Sequence, residues 1–182
     1  MTEYGPVDSL MIEHEAVLAH LVATGETSFA ATLEGTVPKV FILASARWLE
    51  VRVQGVLTEY FQEVAGTRVQ AAEFVRIGAL DMKFHTLFDW KTRKPGHFFG
   101  KFGPDLKRVG MKRYANDPDF AREYDAFLEL GSLRNQLVHQ NYATFTLSKT
   151  ADEVRQHFVL ADKFVDRLPE LLREDVRAGE EE

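Results

Sequence analysis

The chain has 182 residues, 45% of them hydrophobic and fourteen of them Phe, with a formal net charge of −6; that fits one domain spanning 1–182 with its own core and excludes a disordered or fibrous chain. Cysteine is absent, which excludes disulfides, thiolate nucleophiles and cysteine-type zinc sites and fits a reducing cytoplasm. The start, Met1 to Pro6, has no basic stretch before an apolar run, and no uncharged segment approaches the ~18 residues of a membrane span, so a soluble, cytoplasmic protein with no membrane contact is expected.

In chain order, a first helix is expected from Asp8 or Ser9, as N-cap, through Leu10, Ile12, Val17, Leu18 and Leu21 to Thr24, where Gly25 stops it. After a loop through Gly35, Pro38 sets the start of a long helix near its first position. There Val40, Phe41, Leu43, Trp48, Leu49, Val53, Leu57 and Phe61 keep a helical period up to Gly66. A third helix covers Val69 to about Met82, and Phe84, Leu87, Phe88 and Trp90 carry the apolar run into an irregular segment.

The stretch 91–116 is expected to be an irregular insertion with short helical pieces, because Pro95, Gly96, Gly100, Gly103, Pro104 and Gly110 punctuate it. It is also where the charge reverses. Between Lys91 and Arg113 lie eight basic residues and one acid, Asp105, a local +7 that leaves −13 on the rest of the chain. Lys107, Arg108, Lys112 and Arg113 are candidates for phosphate contacts, beside aromatics that can stack on bases. Phe98, Phe99 and Phe102 read better as core.

Asp117 and Pro118 mark the next helix start, as N-cap and first residue. This helix runs through Phe120, Tyr124, Phe127, Leu128 and Leu130 to His139. Gly131 inside it costs up to ~1 kcal/mol relative to Ala, and close packing against another helix accounts for it. Gln140 to Tyr142 leave the helix, Ala143 to Leu147 form an extended connector, and Thr150 to Glu153 fit a capping box that opens the last helices. Pro169 should break or kink them, and the acidic end, 177–182, should fray. The sum is an all-α bundle of about five to seven helices around an irregular middle.

The end of the helix begun at Pro118 carries the chemistry. Arg134, Asn135 and His139 lie within six residues. Histidine moves protons near neutral pH, arginine holds a permanent forked charge for a phosphate, and asparagine both donates to and accepts from a ribose hydroxyl. At ~100° per residue Asn135 and His139 share a face, whereas Arg134 and His139 stand roughly 140° apart. One copy of the motif therefore does not easily close both on a single phosphate, whereas two copies facing each other across a two-fold axis could. As a bland alternative, such residues are solvated side chains or donors to the last carbonyls. The other histidines, His14, His20, His85, His97 and His157, show no metal-ligand spacing, so no metal is expected.

Arg134-Asn135-x-x-x-His139 resembles the R-N-x-x-x-H signature of the HEPN superfamily, small all-helical domains many of which are ribonucleases. The resemblance covers most of the helical order and is nearest to the RiboL-PSP-HEPN-like group. It implies a metal-independent, cofactor-free endoribonuclease with a composite site at a homodimer interface formed by the motif helix, acting on single-stranded RNA. A toxin or antiviral defence effector is the implied biology, with room for an antitoxin or regulatory partner. In that group an early helix adds an acid near the motif; Glu50, after Arg47, is the matching position and would orient His139 or Arg134. Where some toxins of this kind carry a modifiable Tyr two residues after the motif His, this chain has Asn141, with Tyr142 one place later to line the site. The competing expectation is a catalytically silent module that binds RNA or protein.

Overall fold

The computed structural model describes residues 5–140, 142 and 144–174, and among them the chain is all-helical, with seven α-helices and no strand. These are α1 (Gly5–Ala23), α2 (Thr27–Ala65), α3 (Val69–Val75), α4 (Gly96–Phe99), α5 (Pro104–Asn116), α6 (Pro118–His139) and α7 (Ala151–Arg173). The expectations for Asn141, Ala143 and the acidic tail 177–182 fall outside the described residues.

The core is organised by α7. Val154, Phe158, Ala161, Val165, Leu168 and Leu172 recur at three- and four-residue steps and are all buried, which gives one apolar stripe. That stripe packs against α6 and α2, and α1 covers another side of α2. Two of the three expected caps are present: the Asp117 carboxylate accepts from the amides of Asp119 and Phe120, and Thr150 and Glu153 cap each other reciprocally. The third is not, because α1 is helical from Gly5, and Asp8 and Ser9 lie inside it, with the Ser9 hydroxyl donating to the Gly5 carbonyl.

Several boundaries differ from the sequence expectation. Pro38 does not open a helix but lies eleven residues inside α2. It removes one backbone hydrogen bond, yet Ala30, Val37, Phe41 and Ile42 on either side are buried, so packing holds the two halves as one helix. Pro169 likewise lies inside α7, held by buried Leu168, Leu171 and Leu172. The third helix changes pitch after Val75 into a wider π-helical turn, Arg76–Asp81, whose Arg76 reaches both Glu73 (2.8 Å) and Asp81 (2.6 Å). The insertion is irregular only in its first half. Residues 104–116 form α5, because Pro104 suits a helix start and Gly110 lets the Phe99 ring lie where a Cβ would be, 2.6 Å away.

α2 also contains an 18-residue window with a mean hydropathy of 1.2, apolar and long enough to cross a membrane by length and composition. Val37, Phe41, Ile42, Leu49, Val53 and Leu57 of this helix are buried against the rest of the bundle.

The irregular segment before α4 is anchored by rings. Phe98 and Phe99 are fully buried and Phe102 stacks on Phe61, so all three belong to the core as expected. Phe88 stacks on Phe98 at 4.6 Å and packs on Phe127 of α6 at 4.8 Å. The Tyr124 hydroxyl donates to the Pro95 carbonyl at 3.0 Å, and burial holds its phenol far above the usual range. These contacts fix residues 84–102 against α6.

One buried ion pair ties α2 to α7. Arg52 donates to Asp162, whose side chain is 5% exposed, and to Asp166 at 2.7 Å. Burial raises the Asp162 carboxyl and Arg52 opposes that rise. Arg52→Ala leaves the carboxylate uncompensated, and a loss of about 3 kcal/mol is expected at neutral pH. A carboxyl raised on folding loses stability as pH rises through its titration. The deficit of the variant against wild type should therefore shrink between pH 7 and pH 5 in urea unfolding; a constant deficit would contradict this account.

Candidate active site

Packing of α2 against α6 brings Glu50 next to the end of the motif helix. Leu49 and Val53 of α2 and Leu130 and Leu137 of α6 are buried in the shared core, which turns Glu50 and the polar face of α6 outward to one cleft. This cleft, about 470 Å³, is lined by Glu50, Arg134, Asn135 and His139 together with Asp81, Met82 and His85. All four residues singled out as catalytic candidates thus line one cavity within one chain. The 140° between Arg134 and His139 around the helix does not place them in different clefts.

The bonding within it is specific. Arg134 Nη1 donates to the Asn135 side-chain oxygen at 3.1 Å, which leaves the Asn135 amide NH2 as a donor. Glu50, 24% exposed at its side chain, pairs with Arg47 at 3.3 Å and makes no hydrogen bond to His139 or Arg134. The Asp81 carboxylate is taken by Arg76. His139 lies exposed in the last turn of α6 with no hydrogen bond or ion pair to a described residue.

A second and larger cleft, about 920 Å³, adjoins the first and shares Trp90, Asn135 and His139 with it. Thr86, Asp89, Lys91, His97 and Lys101 line it from the irregular segment, and Ser132 and Gln136 from α6. Trp90 forms the sill between the two. Its indole N–H donates to the His85 carbonyl at 2.9 Å, and its ring packs on Phe88 at 4.9 Å and Phe127 at 5.7 Å. Gly131 makes room for it: a Cβ there would stand 2.0 Å from the indole. The close packing expected for Gly131 is real, but its partner is a side chain from the irregular segment and not another helix.

The candidates for RNA contact lie elsewhere. Lys107, Arg108, Lys112 and Arg113 are on α5 and line neither cleft. Arg113 is engaged with Glu170 at 2.9 Å and Glu174 at 3.7 Å, ties α5 to α7, and its guanidinium is held above its ordinary range chiefly by Glu170. The Lys107 stem lies over Gly96 and Gly100, and Arg108 stands 3.7 Å from Asp105. Tyr142 sits beneath Lys39 of α2, with Nζ 5.2 Å from its ring centre. In their place the structure puts Lys91, Lys101, His97 and Trp90 beside the motif, and His85 with it. Nothing periodic marks those five residues; the nearest clue is Gly131, a gap in α6 that a large side chain had to fill.

Among the described residues no three His, Asp or Glu side chains gather as metal ligands. No family model, curated protein or solved structure matches the chain.

Proposed function

We propose that this chain is a metal-independent endoribonuclease of the HEPN type that works as a homodimer with a composite site, in the role of a toxin or antiviral defence effector. The observation that carries the reading is the convergence of Glu50, Arg134, Asn135 and His139 on one cleft. Those groups supply what cleavage by an internal hydroxyl needs. His139 takes the proton from a ribose 2′-hydroxyl, whose oxygen attacks the adjacent phosphorus. Arg134 stabilises the charge that builds on the phosphorane, and Asn135 positions the 2′-hydroxyl. The P–O bond to the 5′-oxygen breaks, and that oxygen takes a proton from the second copy's motif histidine or from water. The products are a 2′,3′-cyclic phosphate and a 5′-hydroxyl. Glu50, bound to Arg47, sets the charge of the cleft wall and does not orient the imidazole through a direct bond.

Incubation of the protein with mixed single-stranded RNA in EDTA, followed by end-group analysis, tests the reading. Cyclic phosphate ends support it; 3′-hydroxyl ends, or cleavage that EDTA stops, would rule it out. The second reading, a silent helical module that binds RNA, draws on the basic wall of the larger cleft and predicts binding with no cleavage.

A further inference from the structure

We propose that the cleft walled by Lys91, His97 and Lys101 is the binding subsite for the phosphodiester next to the one cleaved, on a single strand of RNA. The proposal rests on the ribonuclease reading of the His139 cleft and extends it to the path of the substrate.

Continuity comes first. The two clefts share Trp90, Asn135 and His139, so a chain lying in one with a reacting phosphate at His139 continues into the other across the indole. At about 920 Å³ the larger cleft has room for a nucleotide.

Charge comes second. In a chain of net −6, most arginines of the bundle hold carboxylates: Arg52, Arg76, Arg113, Arg167 and Arg173 each do. Lys91 and Lys101 are exposed, face one cleft, and pair with no described carboxylate. The acid in that wall, Asp89, accepts from the Thr92 backbone N–H at 3.0 Å and from its hydroxyl, which keep it ionised, so the two lysines outnumber one carboxylate there. A wall with a net positive charge beside an open groove suits a polyanion, and phosphate contacts of this kind supply much of nucleic-acid affinity.

Trp90 lines both clefts, and base–aromatic contact requires bases that are not buried in a duplex. His97 donates from Nε2 to the Thr86 carbonyl at 3.2 Å, which leaves Nδ1 of the neutral ring as an acceptor for a hydroxyl or a base edge.

The test uses a fluorescein-labelled DNA single strand of twelve nucleotides, which lacks the 2′-hydroxyl and stays intact, with binding read by anisotropy across a salt series. Lys91→Ala/Lys101→Ala is expected to bind at least tenfold more weakly at low salt. Its slope of log affinity against log salt should be shallower by about 1.4, from two contacts at ~0.7 each. Arg68→Ala/Lys163→Ala, which removes the same charge far from the cleft, is expected to bind like wild type. The proposal is overturned if the cleft pair binds like wild type, if Lys107→Ala/Lys112→Ala on α5 carries the loss instead, or if wild type binds no single strand. Its fate is separable from that of the ribonuclease reading. A protein that cuts RNA but ignores the cleft substitutions keeps the activity and loses the subsite. One that binds through the cleft lysines yet never cuts keeps the single-strand-binding cleft and loses the activity.

Discussion

His139→Ala is expected to reduce RNA cleavage by about a thousandfold or more while leaving fold and assembly intact. General acid–base catalysis by one positioned group contributes ~10²–10⁴-fold, and in a composite site each substitution removes the base from one copy and the acid from the other. The side chain is exposed and holds no hydrogen bond to a described residue, so nothing in the bundle depends on it. Helical content by circular dichroism and mass by light scattering should match wild type. A variant that cuts as fast as wild type would remove His139 from the mechanism and, with it, the reading of the cleft.

The second large effect is on stability. Gly131→Ala should unfold about 2–3 kcal/mol more easily than wild type, although Ala is the better helix former by up to ~1 kcal/mol. The new Cβ would stand 2.0 Å from the Trp90 ring, and Phe84, Phe88 and Phe127 pack around the indole, so it can shift only at the expense of that packing. For a chain of this size that loss corresponds to a fall in Tm of roughly 5–10 °C. Cleavage should fall as well, because the displaced ring walls both clefts. Gly55→Ala is the comparison: it also sits in a helix, meets nothing within 4 Å, and should be neutral or slightly stabilising. Equal stability of the two variants would mean that Trp90 yields freely.

The helices were legible because their signals are local. The Asp117-Pro118 start and the Thr150–Glu153 box act through bonds three residues apart, and the α7 stripe repeats at helical spacing, so each could be read in one dimension. Pro38 and Pro169 were misleading because their local cost is outweighed by burial from distant elements. Arg134, Asn135 and His139 were visible as a motif, and Glu50 through the resemblance; that they share a cleft depends on how α2 crosses α6, which no spacing encodes. The basic segment was legible as composition and not as geometry. Its charge divides: Arg113 serves the ion pairs to α7, whereas Lys91 and Lys101 face the groove. Sorting them required the path of residues 84–102, which is set by ring packing on Phe127 and Tyr124 and leaves no periodic trace.

Trp90 gives the groove an optical property as well as a wall. The chain has two tryptophans, and the other, Trp48, lies against Gly5 at the start of α1, away from both clefts. A Trp48→Phe protein would therefore emit from the sill alone. Occupancy of either cleft, and any slippage of the ring against Gly131, would be reported by the intensity and wavelength of a single native fluorophore, without a label on protein or ligand.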